Sequence, residues 1–148
     1  MTGKGSLNHN SRKFHAKNTD PNRTHWNVEY CNEDIKDVYH ELFDEALKRY
    51  NDKQTRKDRK IDDYYEKIRS GKQEKLFHEV IIQIGDKDNM GSETVEGQLA
   101  AKVLDGYMKG FQERNPTLRV FAAHLHLDEA TPHLHIDFIP MLQEVNVD

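Results

Sequence analysis

Between Phe121 and Pro140 the sequence reads FAAHLHLDEATPHLHIDFIP, and the alternation of histidine with aliphatic residues restricts what this stretch can fold into. A period of two is that of a β-strand, in which side chains at i and i+2 share a face. His133, His135 and Asp137 then fall on one side and Leu134, Ile136 and Phe138 on the other, while in the preceding run His124 and His126 oppose Leu125 and Leu127. Asp128-Glu129-Ala130-Thr131 makes the turn. Antiparallel pairing across that turn brings the two histidine faces together and leaves the leucine-rich face for a core. Isolated histidines such as His15, His40 and His78 are ordinary polar positions. Clustered imidazoles beside two carboxylates are different, because they lower one another's pKa and gain little unless a cation binds. The spacing has neither the cysteines of a zinc finger nor the helical HExxH of zinc proteases, so a metal or catalytic site drawn on a hairpin is the expectation.

The string HLDEATPHLH, His126 to His135, resembles the third motif, HxDExxPHxH, of the MobV (Mob/Pre, plasmid recombination enzyme) relaxases. These belong to the HUH endonucleases, named for two histidines flanking a hydrophobic residue, here His133-Leu134-His135. The family also has an upstream HNxR motif, which His9-Asn10-Ser11-Arg12 supplies, followed by a stretch similar to Asp20-Pro21-Asn22-Arg23-Thr24-His25. A strand usually precedes HNxR in this family, and the eight glycine-containing residues here leave little room for one.

The resemblance implies a metal-dependent relaxase that nicks one strand at a plasmid or mobile-element origin of transfer by transesterification and stays covalently linked to the DNA. His126, His133 and His135 are implied as ligands of Mn²⁺ or Mg²⁺, with three imidazoles favouring manganese. Glu129 is implied as a carboxylate that accepts a proton or supports the metal, and Asp128 as one that orients a ligand histidine. His9 is implied as the nucleophile and Arg12 as its phosphate-neutralising partner, with Tyr30 the alternative because HUH enzymes generally attack with tyrosine. His124 lies outside the motif and is expected to be a surface neighbour. Two other functions stay open: a non-catalytic origin-DNA-binding module, and a different metal-dependent hydrolase suggested by the HxHxD-like run His124-Leu125-His126-Leu127-Asp128, which lacks the final histidine of that motif.

Composition sets wider bounds. A chain of 148 residues makes one domain, here a relaxase domain over residues 1–148 with continuation in a longer protein left open. No apolar run is long enough to span a membrane, Met1 to Asn10 has no signal-like hydrophobic region, and the single cysteine, Cys31, excludes an internal disulfide, all consistent with a cytoplasmic protein. The net charge of -4 hides two basic stretches, Met1 to Trp26 and Lys53 to Lys75, each with a local excess of four positive charges. Phosphate contacts need only such patches, so Asn10, Arg12, Lys13 and Arg23 from the first and Arg56, Lys57, Arg59 and Lys60 from the second are the candidate contacts to single-stranded or supercoiled origin DNA. A solvated face is the alternative for the second patch. Oligomeric state is not encoded in these features.

The remaining pattern supplies scaffolding. Trp26 to Tyr30 alternates as a strand, and Asn32 can cap a helix running to about Asn51 through Ile35, Val38, Tyr39, Leu42, Ala46, Leu47 and Tyr50. Ile61, Tyr64, Tyr65 and Ile68 mark a second, more charged helix ended by Gly71, and Leu76 to Ile84 reads as a strand. After a polar turn from Gly85 to Gly91, Ser92 or Thr94 starts another helix, with Val95, Leu99, Val103, Tyr107 and Phe111 one turn apart, stopped at Asn115-Pro116. This order predicts an α+β fold. The resemblance makes it a ferredoxin-like antiparallel sheet, helices on one face and the histidine hairpin on the open one.

Overall fold

A computed structural model describes residues 2–3, 6–14, 16–86 and 91–141; His15 and residues 87–90 of the Gly85–Gly91 turn lie outside them. The elements run β1 (Thr2–Gly3), α1 (Leu7–Asn10), a 3₁₀ turn (Pro21–Trp26), β2 (Val28–Asn32), α2 (Ile35–Asp52), a 3₁₀ turn (Lys57–Arg59), α3 (Tyr64–Ser70), β3 (His78–Gln83), α4 (Val95–Lys109), α5 (Phe111–Arg114), β4 (Leu118–His126) and β5 (His133–Pro140). Two compact units result, Met1–Asn32 with Phe77–Asp148, and Glu33–Leu76.

The first unit holds one antiparallel sheet of order β1-β3-β5-β4-β2, so the histidine hairpin β4–β5 lies at its centre. His124 pairs with His135 and His126 with His133, which places all four imidazoles on one face, as period-two alternation requires. On the other face Leu125, Leu134, Ile136 and Phe138 pack with Leu104, Met108 and Phe111, and Val80, Ile82 and Leu127 extend the cluster. The strand before HNxR is present but only two residues long, pairing Thr2 with Val80 and Gly3 with Glu79. β2 starts at Val28 because Asp20 caps a 3₁₀ turn through Trp26, accepting from Asn22 N.

The buried face of α4 is not the one marked by Val95, Leu99, Val103 and Tyr107. Gly97, Ala100, Leu104 and Met108 are buried, whereas Val95 is 78% and Tyr107 41% exposed. The reason is angular: residues four apart advance about 40° past a full turn at each step, so a strict four-residue series winds off one face. Spacings of three and four keep 97, 100, 104, 108 and 111 over the sheet.

In the second unit Asp34, rather than Asn32, caps α2 by accepting from Lys36 N and Asp37 N, and Asp63 caps α3. Tyr39 and Phe43 on α2 pack against Tyr64, with Val38 and Ile68 buried. Asn51 holds the basic connection from both sides, donating to Ile61 O at 2.7 Å and accepting from Ile61 N at 2.9 Å. Among the described residues no helix is long and apolar enough to cross a membrane.

Candidate active site

Hydrogen-bond chemistry assigns the tautomer of each hairpin histidine. The Nε2 of His126 lies 2.7 Å from the carbonyl of Asn10, an acceptor only, so Nε2 carries the proton and Nδ1 keeps its lone pair. His133 Nδ1 lies 2.5 Å from Thr131 O, and His135 Nδ1 lies 3.2 Å from a carboxylate oxygen of Glu79, so both keep the lone pair on Nε2. His126 Nδ1 and His135 Nε2 are buried without a hydrogen-bond partner. An orphaned buried nitrogen costs free energy, and a cation is the partner that a neutral imidazole lone pair suits best. The rings stand close, with centroids 4.5 Å apart for His126 and His135 and 6.4 Å for His133 and His135. These residues fit a divalent metal.

Glu129 faces the same space. Its carboxylate is 3.7 Å from His126 Nδ1, 3.5 Å from His133 Nδ1 and 3.5 Å from His9 Nε2. Among the described residues, His9, His126 and Glu129 form a group whose ligand atoms all lie within 4.8 Å of one another. That group shares only His126 with the three expected ligands, and it adds Glu129 and His9 as candidates. Burial resists ionisation of Glu129, but the hydrogen bond from Arg12 and the neighbouring histidines hold its carboxyl below the usual range. His9 sits on the one-turn α1, whose cap Ser6 accepts from His9 N. Burial and the Arg12 charge lower its pKa and keep its imidazole neutral.

Three other residues act differently from expectation. Asp128 was expected behind a histidine; it binds Arg12 Nε at 2.8 Å and Nη2 at 2.6 Å, and accepts from Thr24 Oγ1 at 3.0 Å. Arg12 also donates to Glu129 and to the His9 carbonyl, so its guanidinium is occupied inside the protein and clamps the His9 loop to the hairpin turn. Asn10, expected on DNA, is 2% exposed and its amide is committed to Glu79 and Asp137. An N-terminal segment thus lies across the histidine face, with Asp20 N donating to Asp128 O.

The other candidates separate clearly. His124 is buried, not a surface neighbour; its ring lies 6.1 Å from that of His126, and its Nε2 is held by Glu29 at 3.1 Å. The Tyr30 hydroxyl donates to Asp105 of α4 at 2.6 Å, on the helix-covered side of the sheet, which removes it from the histidines. Arg23 is held by Asp20 and Glu93, while Lys13 is exposed. Arg56, Lys57, Arg59 and Lys60 are exposed in the second unit, with Arg56 chelating Asp58. Sequence reasoning missed Glu79, whose signal was a carboxylate interrupting the apolar strand HEVII. Burial resists its ionisation, yet hydrogen bonds from His135, Asp137 and Asn10 hold it well below the usual carboxylate range, while burial and the Glu79 charge push its cross-strand neighbour Asp137 well above that range.

Burial, with the charge of His135, pushes the His126 pKa down to about 3. A group depressed below its unfolded value near 6.5 contributes stability fully above that pH and loses it as pH falls toward the folded value. In metal-free protein, His126→Gln is therefore expected to lose about 2 kcal/mol less stability than wild type between pH 7.5 and pH 5. Urea midpoints at the two pH values measure this; equal losses would assign the acid sensitivity elsewhere.

An antiparallel sheet that sets a His-Leu-His strand at its centre, with His124, His126, His133 and His135 on one face, has the histidine pattern that the resemblance to the HUH-type relaxases implies. The chain belongs to the plasmid recombination enzyme (Mob_Pre) family, whose model matches residues 4–147. Among solved structures it is similar to the MobM relaxase domain (MOBV; Mob_Pre) bound to plasmid pMV158 oriT DNA of 22 nt, Mn-bound at pH 5.5, with 25% identity and a TM-score of 0.52 over 96% of this chain and 65% of that one. A second structure of that domain, Mn-bound with 23 nt at pH 6.5, gives 24% identity and a TM-score of 0.48 over 93% and 62%. The chain thus spans 65% of the length of the first of these solved domains. No curated protein matches it.

Proposed function

We propose that this chain is the catalytic part of a relaxase that nicks one DNA strand at an origin of transfer. The observation that carries the proposal is the group of His9, His126 and Glu129, whose ligand atoms lie within 4.8 Å of one another, beside the orphaned nitrogens His126 Nδ1 and His135 Nε2. The three histidines, with Glu129, would hold Mn²⁺ in preference to Mg²⁺, in keeping with the Mn-bound relatives. Bound there, the cation polarises the scissile phosphate and offsets the charge that builds in the transition state.

The chain's own groups do the rest. The His9 lone pair attacks phosphorus, a P–N bond forms as the P–O3′ bond breaks, and the 5′ phosphate stays on His9 while the 3′ oxygen leaves and takes a proton from water. Arg12 Nη1 and Glu129, 3.2 Å and 3.5 Å from His9 Nε2, hold the ring for attack. Arg12 fixes both partners and is a positioning residue rather than a phosphate contact. Lys13, Arg56, Lys57, Arg59 and Lys60 are the exposed cations for the phosphates of single-stranded origin DNA in the cytoplasm. The occupied guanidinium of Arg12 favours a second function, an origin-binding module that does not cut.

Thermal unfolding with Mn²⁺, Mg²⁺ and Zn²⁺, on wild type and on His133→Ala combined with His135→Ala, tests the site. Metal at a hundredfold excess over its dissociation constant stabilises the fold by about 2.7 kcal/mol. A wild-type shift lost in the double variant, with cleavage of origin oligonucleotides, establishes the enzyme. Absence of a shift with every metal, alone and with oligonucleotide, overturns it in favour of the non-cutting module.

A further inference from the structure

The HNxR string contributes a residue with no role in the chemistry just described. Asn10 is the most buried polar side chain of its segment, and it touches the metal-binding histidines by two separate routes. Its main-chain carbonyl accepts from His126 Nε2 at 2.7 Å. Its side-chain amide donates to Glu79 Oε2 at 2.5 Å and to Asp137 Oδ2 at 3.3 Å, and the other oxygen of Glu79 accepts from His135 Nδ1 at 3.2 Å. Glu79 and Asp137 stand directly opposite each other on β3 and β5, a pairing that two carboxylates tolerate poorly without a donor between them.

We propose that Asn10 and Glu79 are positioning residues that fix which nitrogen of His126 and of His135 faces the metal, and that they do so from the residue adjacent to His9. This rests on the relaxase reading only for its consequence in catalysis; the tautomer assignment stands on geometry alone. Free imidazole prefers the proton on Nε2, so His135 with its proton on Nδ1 is in the less favoured tautomer and needs an acceptor to hold it there. Glu79 is that acceptor. Asn10 keeps Glu79 turned toward His135 by donating to Glu79 and Asp137 together. Because the carbonyl and the amide belong to one residue, displacement of the His9 loop loosens two ligands together. The turn histidine, His133, is held by Thr131 O and is outside this control.

The test uses the full chain. Histidine ring ¹⁵N spectra of metal-free wild-type protein at pH 7.5 are expected to show His135 with its proton on Nδ1 and His126 with its proton on Nε2. Glu79→Leu is expected to move His135 to the Nε2 tautomer, leave His126 unchanged, and weaken Mn²⁺ binding by about 10- to 100-fold in calorimetric titration. Asn10→Ala, which keeps the carbonyl, is expected to shift His135 in the same direction and leave His126 unchanged, and it supplies the test if Glu79→Leu does not fold. A wild-type His135 protonated on Nε2 overturns the proposal, as does a pair of folded variants with unaltered tautomers and unaltered Mn²⁺ affinity. Neither spectrum needs DNA or nicking, so a protein that fails to cut would sink the enzymatic function and leave this result standing.

Discussion

His9→Ala is expected to lower nicking of single-stranded origin DNA by more than about 10³-fold while leaving Mn²⁺ affinity within a few-fold of wild type. The magnitude follows from what a nucleophile supplies, since removing it leaves only the positioning and electrostatic parts of catalysis. The second half of the expectation follows from the geometry. His9 is part of the group with His126 and Glu129, but the lone pairs of His126, His133 and His135 are directed by Asn10, Thr131 and Glu79, none of which needs the His9 ring. Loss of the ring therefore removes chemistry and spares the site. Quantitative cleavage assays on oligonucleotides, paired with calorimetric Mn²⁺ titrations, separate the outcomes. Full cleavage by the variant would transfer the role away from His9, and Tyr30 would not inherit it, because its hydroxyl is bound to Asp105. A large loss of Mn²⁺ affinity would make His9 a ligand.

What the sequence made legible was whatever periodicity controls. A two-residue alternation allows only one partition of His124, His126, His133 and His135 from the leucines, and the sheet register reproduces it. The HNxR string likewise led to His9, which lies beside Glu129. Periodicity failed on α4, where four exposed apolar residues outranked the smaller Gly97 and Ala100 that pack on the sheet; size, rather than hydrophobicity alone, decides which face approaches closely. The partners of charged residues were not legible at all. Whether Arg12 meets a phosphate or Asp128, and whether Asp128 meets an imidazole or Arg12, depends on contacts across 116 residues of chain that no local pattern records. Glu79 showed only as a carboxylate interrupting an apolar strand, and its role stayed hidden for the same reason, since its meaning comes from His135 on the neighbouring strand.

Arg12→Ala is expected to destabilise the fold by about 3–5 kcal/mol, the cost of stripping the partner from a buried charge. Asp128 is fully buried, and burial resists its ionisation, yet bonds from Arg12 and Thr24 hold its carboxyl at about 2. Without the guanidinium that carboxylate keeps only neutral partners and no charge to meet it. The protein also accepts a cost to place Arg12 there, because its φ of 58° lies in the left-handed region, which disfavours a side chain by about 1–2 kcal/mol. Arg12→Lys is expected to recover only part of the loss, since an ammonium cannot span both oxygens of Asp128. Adding Asp128→Asn to Arg12→Ala is expected to restore stability relative to Arg12→Ala alone, because it removes the unpaired buried charge. Urea unfolding of wild type, the two single Arg12 variants and the double variant reads this cycle directly. Near-wild-type stability of Arg12→Ala, with a drop in the salt dependence of DNA binding, would instead return Arg12 to the phosphate.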